Sequence, residues 1–543
     1  MLTFRKNKKE NMKIYRIVFY FYILFQGVIN IFKSGASYDI AGFRYASGVV
    51  LNKVLLLFSN FNSPEFKVYD YIEHYGIVLP IFAYIFAHAT NLTIGEILLN
   101  TNLFINSDDV IYSFIYLFLI FYFIFLLEII YRLLIRNYDN TISFTFLILF
   151  YFLPSISGQY FWNIKDVPFA LHVFIAFLCY FDYSKNKFIK SQYFQVLISF
   201  LFVVHTRING VLILMMIIFV CNLINNKNFY SDISFYLLKI KLLIQIIFLN
   251  ILISPSSWRH PILWLNETIN FYASIPWEGF TLTNGEFIYS GNGHISYLIT
   301  WFFYRLPSIY LFLLFISIGG IIKNYKKINE LEKSSFYFLL IFGLSFTIIS
   351  PLAYDSDRHY LFIYPFLISI TLNFVKNSLE KKFLNFIIVF LFLSVLIFNY
   401  FGLENQRYIY LNEFADEEKI SYFCETNIDG CGEWFTDYQG ISGKKLADEI
   451  NRDLVNETIF VCRPEHVFSL YLDKNKNEVI LIPSFKEYKK DSFYVATLHR
   501  PRKNLDSCNN EIKDFNCNEM ITSTVSLRNT SVNLNYLSYC SKS

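Results

Sequence analysis

"FWNIKDVPF" runs from Phe161 to Phe169. It stands between two strongly apolar runs, yet it sets Asn163, Lys165 and Asp166 beside Pro168. An ionisable side chain at the mouth of a membrane span is costly unless it is paired or reaches water, so each such residue needs a partner or a task. The local explanation is a helix start near Pro168, where an aspartate is favoured by capping and by the helix dipole. The same kind of residue recurs at other breaks between apolar runs, and that recurrence calls for more than capping.

The surroundings are those of a membrane protein. Of 543 residues, 55% are hydrophobic, 20% aromatic and 17% charged, with a mean hydropathy of +0.38, more apolar than soluble globular chains. The net charge is +4, with basic residues in short clusters, which gives no indication of a nucleic-acid partner. A spanning helix needs about 20 mostly apolar residues. The chain offers about eleven: near 14–32, 111–130, 141–157, 167–182, 192–206, 209–224, 235–253, 297–321, 336–351, 360–374 and 384–401. A further region, 77–90 or 94–106, reads as surface-lying or re-entrant. The fold class is therefore a polytopic α-helical membrane protein.

Charge placement sets the expected topology. Arg5, Lys6, Lys8, Lys9 and Lys13 precede the first span and a less basic stretch follows from Ser34, which puts the N-terminus in the cytoplasm. No small-residue cleavage site stands out, so this span reads as an anchor. If Ser34 to about Asn106 stays outside, Arg132/Arg136, Lys185/Lys187/Lys190, Lys227/Lys239/Lys241, Lys323/Lys326/Lys327/Lys333 and Lys376/Lys381/Lys382 all fall inside. The outer connections are then Ser34–Asp109, Ser155–Asp166, the turn at Thr206, Pro255–Ser296, Pro351–His359 and everything after Phe401.

Residues 402–543 change character from residues 1–401, becoming polar and turn-rich, and read as a small α/β domain outside the membrane. Six of the eight cysteines lie there: Cys424, Cys431, Cys462, Cys508, Cys517 and Cys540. An even number in an oxidising compartment points to disulfides, although six cysteines allow fifteen pairings. Cys424/Cys431 and Cys508/Cys517 are each spaced to staple a local turn. The C-x-x-C spacing of a zinc site is absent.

The outer connections gather carboxylates and cations. Asp39 and Arg44 lie in the first, with Asp70 and Glu73 in "VYDYIEHYGIVLP"; Arg207 lies in "HTRINGVLIL", and Arg358 with His359 in "YDSDRHYLFIYP". Arginine and lysine hold phosphate, and a carboxylate takes a proton from a hydroxyl. Each residue also has a plainer role. Arg207 can snorkel, Arg358 can pair with Asp355 or Asp357, and Glu73 can be a solvated loop residue. The 255–296 loop, with Trp258, Trp264, Tyr272, Trp277 and Asn284, fits a sugar or headgroup site and equally an interfacial aromatic belt.

Taken together, Asp39, "NIKDVPFA", "TRINGVLIL", the loop "PILWLNETINFYASIPWEGFTLTNGEF", "DRHYLFIYP" and "TDYQGISGKKLADEI" resemble the GT-C membrane glycosyltransferases. The likeness is to the group of protein O-mannosyltransferases and aminoarabinose transferases, in its bacterial, dolichyl-phosphate-mannose-dependent-like form. The resemblance implies a GT-C fold, a polyprenyl-phosphate-linked sugar as donor, and a lipid, glycan or protein acceptor. It also implies inverting single displacement on the periplasmic side of the inner membrane. By position, Asp39 matches the catalytic base and Asp166 the second acid; Lys165, Arg207 and Arg358 match positions that hold the donor phosphate. Ile40 follows Asp39 where the family often has a second acid. Glu73 lies where some relatives have a metal-associated glutamate, which leaves room for a divalent metal, and Asn284 is a further substrate or metal candidate. The rival class is a transporter or lipid flippase, for which an internal repeat and ionisable groups near the midplane are expected. Neither is visible here. A non-catalytic assembly protein would leave the Asp39 and Lys165/Asp166 pattern without a reason.

Overall fold

The computed structural model describes residues 2–59, 76–101, 104–185, 189–225, 233–258, 260–273, 279–291, 294–352, 354–379, 402–403, 405–420, 432–462, 465–481, 491–498, 515–528 and 530–542. Fifteen helices fill the described part of the first 379 residues: α1 (Leu2–Lys33), α2 (Tyr38–Ser59), α3 (Val78–Leu99), α4 (Ser107–Leu134), α5 (Asn140–Tyr151), α6 (Pro154–Ser157), α7 (Asp166–Lys185), α8 (Lys190–Thr206), α9 (Gly210–Asn225), α10 (Ile233–Ile253), α11 (Pro261–Ala273), α12 (Ile295–Arg305), α13 (Ser308–Lys323), α14 (Glu330–Ile349) and α15 (Tyr364–Leu379). A hairpin of β1 (Phe280–Thr283) and β2 (Glu286–Tyr289) interrupts them.

Among the described residues, five helices are long and apolar enough to cross a membrane: residues 12–33 of α1, then α3, α4, α7 and α14. The bent pair α12/α13 makes a sixth, and α5, α9 and residues 240–253 of α10 are shorter apolar helices. Two expected spans are corrected by proline. The span over 297–321 is two helices that meet at 117°. Pro307 lacks an amide proton and forces Leu306 into extended backbone (φ −78°, ψ 125°). The span over 141–157 ends at Tyr151, because Leu153 before Pro154 is likewise extended. The expected span over 384–401 lies outside the described residues.

The region 77–106 resolves into one helix, α3. Its composition would suit a span, but its contacts run along one side of the protein. The Val78 amide donates to His205 Nε2 at 3.2 Å, one residue before the end of α8, and Asn91 Nδ2 donates to Ser107 Oγ at 3.0 Å, at the start of α4. His205 and Ser107 lie at the end of α8 and the start of α4, and α3 packs on the first half of α4, with Phe86 6.3 Å from Phe114 and 5.8 Å from Phe118.

α7 is the axis of the bundle: every residue from Asp166 to Ser184 is buried, with α4, α8 and α9 against it. Lipid removes the water-expulsion drive between helices and leaves packing to hold them. Phe174 and Phe177 of α7 sit 5.5 and 4.9 Å from Phe366 of α15, which stacks on Phe338 of α14 at 4.0 Å. Such aromatic pairs are worth about 0.5–1.5 kcal/mol each beyond area. At the end of α7 away from Asp166, Arg136 Nη1 lies 3.1 Å from Asp182, Lys185 pairs with Glu330 at 3.8 Å, and Glu128 is shared by Arg16 and Arg132. Of the residues expected on one face, Arg132, Arg136 and Lys185 lie at this end of the bundle.

The tail carries a five-stranded mixed sheet in the order β4-β3-β5-β7-β6, from β3 (Thr458–Val461), β4 (Glu478–Leu481), β5 (Ser492–Leu498), β6 (Phe515–Leu527) and β7 (Thr530–Lys542). β4, β3 and β5 are parallel, and the long β6/β7 hairpin is antiparallel. Cys517 and Cys540, direct partners in that hairpin, form a disulfide. The local Cys508/Cys517 staple is therefore not made. Cys462 is also disulfide-bonded; Cys424, Cys431 and Cys508 lie outside the described residues. The helix α16 (Gly443–Asp453) lies under the sheet and docks on the bundle. Close approach fixes one glycine: a Cβ on Gly158, after α6, would run into the Tyr408 backbone.

Candidate active site

The opening stretch acquires its explanation in three dimensions. Asn163, and not Asp166, caps α7: its Oδ1 accepts from the Asp166 amide at 2.8 Å and the Lys165 amide at 3.3 Å. Its Nδ2 donates to Asp166 Oδ2 at 3.2 Å and to Gln159 Oε1 at 2.8 Å. With the backbone amides so satisfied, Asp166 and Lys165 are released to face other elements.

Asp39 sits on the first turn of α2, and the tail builds its mount. Gly35 N donates to Ile441 O and Tyr38 N to Gln439 O, both at 2.8 Å, while Ala36 N donates to the Tyr471 hydroxyl at 2.7 Å. The Ser37 amide donates to Tyr116 of α4 at 3.0 Å. The receiving loop is itself pinned by buried Asp437, which accepts from the amides of Ile441 at 3.1 Å and Ser442 at 2.8 Å and from the hydroxyls of Tyr408 and Ser442. Arg207 follows α8 in extended backbone (φ −152°, ψ 121°), with its amide donating to Val203 O at 3.1 Å. Arg358 opens a short helical turn after Asp355 and Ser356, both left-handed at φ 54° and 61°. That turn swings its side chain across the mouth of α7.

Three cations and three carboxylates meet there. Arg358 reaches Asp39 Oδ2 at 2.9 Å (Nη1), Asp166 Oδ2 at 3.3 Å (Nε) and Asp355 Oδ2 at 3.2 Å (Nη2). Lys165 Nζ lies 3.4 Å from Asp39 Oδ2, and Arg207 pairs with Asp166 Oδ1. Arg207 Nη2 also lies 3.1 Å from His359 Nδ1. The Arg207 and Arg358 side chains are 8% and 3% exposed and Asp166 is 2%, whereas Asp39 keeps 23%. Asp39 is thus the carboxylate at the opening and Asp166 the one behind it. Burial alone would raise the Asp39 carboxyl, but Lys165 and Arg358 outweigh it and hold it down to about 2. His359 is pushed well below the usual imidazole range, first by burial and then by Arg358, Arg207 and Lys165.

Beside the cluster lies an apolar cavity of about 180 Å³ between α2, α3, α4, α7 and α8. Phe43, Phe82, Phe118 and Phe202 line it, together with Lys165. Phe82 and Phe202 are 58% and 41% exposed, so its rim opens to the lipid side of the bundle.

The structure thus brings Asp39, Lys165, Asp166, Arg207 and Arg358 into one site. Asn284 is placed elsewhere, with Gly285 in the two-residue turn of the β1/β2 hairpin, where both have positive φ (50° and 80°). That backbone requirement accounts for an Asn-Gly pair there. Glu73 and Asp70 lie outside the described residues. Among the described residues no group of three or more His, Cys, Asp or Glu side chains is arranged to hold a metal ion. The carboxylates of the cluster each face a cation, so we derive no step through a metal.

Asp355, one of the two local partners expected for Arg358, completes its charge balance. Two supports escaped the sequence reading. Asp357, beside Arg358, accepts from Ser155 Oγ at 2.5 Å and from the Tyr364 hydroxyl, with Arg305 Nε 3.8 Å away; this buried set anchors the turn that carries Arg358. Lys444 of α16 pairs with Asp109 of α4 at 3.0 Å. Acidic residues around Arg358 and a lysine in "ISGKKLADEI" were visible signals, but nothing in one dimension joins them to their partners.

No protein-family model matches the chain, and no curated protein matches it. Among solved structures, the chain is similar to the crystal structure of ArnT from Cupriavidus metallidurans bound to undecaprenyl phosphate, with a TM-score of 0.49 and 9% identity over 97% of each chain.

Proposed function

We propose that the protein is an integral-membrane glycosyltransferase that moves a sugar from a polyprenyl-phosphate donor to a hydroxyl acceptor by inverting single displacement. The observation that carries this reading is the juxtaposition at the start of α7. A partly open carboxylate, Asp39, pairs with Lys165 and Arg358, Arg207 stands behind them on Asp166, and Lys165 also lines an apolar cavity with a lipid-facing rim. A transporter reading asks for charges near the midplane, whereas this set lies at helix ends.

Asp39 accepts the proton of the acceptor hydroxyl as its oxygen attacks the anomeric carbon. The anomeric C–O bond to phosphate breaks, and polyprenyl phosphate departs with the electron pair. Lys165, Arg207 and Arg358 stabilise that anion, so no acid is needed on the leaving side. The cations now paired with Asp39 and Asp166 turn to the phosphate when donor enters. The apolar cavity takes the first isoprenoid units. Residues 1–401 form the transferase domain and residues 402–543 a periplasmic domain that holds Asp39 in place. The N-terminus is cytoplasmic, and the acceptor is a lipid, a glycan or a protein. Full-length protein in membranes, supplied with defined radiolabelled polyprenyl-phosphate sugars and cell-envelope acceptors, tests this. Release of polyprenyl phosphate with label on an acceptor supports it; transbilayer movement of the intact lipid without sugar transfer supports a flippase.

A further inference from the structure

His359 has a donor with nothing to receive it. Its Nδ1 lies 3.1 Å from Arg207 Nη2, and a guanidinium only donates, so Nδ1 is the acceptor and the proton sits on Nε2. The side chain is 10% exposed, and Nε2 is buried without a hydrogen-bond partner. Tyr354 holds the ring from the other side, with centroids 4.4 Å apart, and Asp166 Oδ1 stands 4.0 Å from Nδ1. A buried N–H lacking an acceptor is rare and costly, and calls for a reason. Arg207 touches the ring at Nδ1, and Arg358 and Lys165 act on it as well, so an anionic oxygen suits the free N–H above any other acceptor.

Resting on the transferase reading above, we infer that His359 is a further donor-binding residue whose Nε2–H hydrogen-bonds an anionic phosphoryl oxygen of the polyprenyl-phosphate substrate. It adds direction without adding a fourth cation. The neutral ring also leaves Asp166 to Arg207. Burial and the neighbouring cations keep the imidazole neutral, in keeping with the tautomer the geometry requires.

Two substitutions separate this role from packing. In His359→Asn the amide oxygen replaces Nδ1 as acceptor for Arg207, but no atom remains at the Nε2 position. In His359→Gln the amide nitrogen stands where Nε2 was. Binding of undecaprenyl phosphate and of undecaprenol, its uncharged counterpart, is measured on the full chain in nanodiscs. His359→Asn is expected to weaken undecaprenyl phosphate about ten- to a hundredfold, as for a lost hydrogen bond to a charged group. His359→Gln is expected to retain most of the affinity, and undecaprenol binding to stay unchanged in both. Wild-type affinity in His359→Asn, or equal loss for both lipids, overturns the inference. If the wild type itself does not prefer the phosphate to the alcohol, the transferase reading falls and takes this one with it. A measurement on unsubstituted protein covers a folding failure: the 15N resonance of His359 Nε2 must move on addition of undecaprenyl phosphate and not of undecaprenol. No movement rejects the contact.

Discussion

Asp39 and Asp166, one from α2 and one from the first turn of α7, share the guanidinium of Arg358, which lies 2.9 Å from the first and 3.3 Å from the second. Only a planar, multi-donor cation spans two carboxylates in this way. Arg358→Ala takes the shared cation from Asp39, Asp166 and Asp355, leaving only Lys165 for the first and Arg207 for the second, in a site where Asp166 is almost wholly buried; breaking a buried pair costs about 3–5 kcal/mol. Arg358→Lys keeps a charge but cannot serve both. Thermal unfolding in detergent should therefore show a large loss for alanine and a smaller one for lysine. Transfer activity should fall at least about tenfold in both, because the acids lose their common reference.

Arg207 pairs with Asp166, and the proposed function gives it the donor phosphate as a second partner. Arg207→Ala should weaken donor binding strongly, and Arg207→Lys should keep part of it as a point charge without the fork. Calorimetric or fluorescence titration with undecaprenyl phosphate checks this. Unchanged affinity in Arg207→Ala would remove Arg207 from the phosphate site.

The tail reaches the site through Lys444, whose ammonium lies 3.0 and 3.2 Å from the two Asp109 oxygens, with both side chains under a tenth exposed. Lys444→Met leaves a buried carboxylate alone and should cost about 3–5 kcal/mol. The double variant Asp109→Asn, Lys444→Met should recover much of that loss, because no charge is left unpaired. Activity should fall in the single variant as well, since the adjoining Ile441–Gly35 contact holds the segment before Asp39. A double-mutant cycle with no coupling would separate tail docking from the ion pair.

How much of this was legible in one dimension differs by kind of contact. Hydropathy placed most helices, because a spanning helix is specified residue by residue along its own length. The spans expected over 141–157 and 297–321 ran across Pro154 and Pro307, where the chain breaks. Asp39, Lys165, Asp166, Arg207 and Arg358 stood out because charge is costly at helix ends in lipid, so their rarity made them visible. Their pairing was not: Arg358 had Asp355 and Asp357 as local candidates, and it took Asp355 but also two acids from distant helices. The α3 helix looked like two half-segments because its polar centre at Asn91 faces Ser107, a partner that no window on the sequence contains.

The disulfide offers a test of orientation. Cys517 and Cys540 are separated by 23 residues across the β6/β7 hairpin, and such a bridge persists only in an oxidising compartment. With the tail periplasmic, both thiols resist alkylation in intact cells until a reductant is added, and a periplasm-dependent reporter fused after Ser543 is active. Cys517→Ser with Cys540→Ser should lower stability by about 2–4 kcal/mol. Free thiols in cells, or a fusion active only in the cytoplasm, would invert the topology.

Asp39 poses the sharpest demand on the mechanism. Lys165 and Arg358 hold its carboxyl down to about 2 against the opposing effect of burial, and so weak a base takes a hydroxyl proton poorly. In the proposed function donor binding resolves this: the phosphate draws the same cations away, and the Asp39 carboxyl rises toward the ordinary carboxylate range. Because the acid limb of kcat/KM reports the free enzyme and that of kcat the loaded one, the kcat limb should lie at higher pH. The sign for stability follows from the same depressed value. Asp39 contributes stability above its ordinary 3.8, and that contribution is lost as pH falls through about 2. Asp39→Asn keeps the size and the hydrogen bond to Arg358 but removes the base, so turnover should drop at least about a hundredfold. Donor affinity should be retained or increased, since one competitor for the cations has lost its charge. Wild-type turnover in purified Asp39→Asn would move the base to Asp166, whose burial behind Arg207 and Arg358 would then require the site to open before any acceptor could reach it.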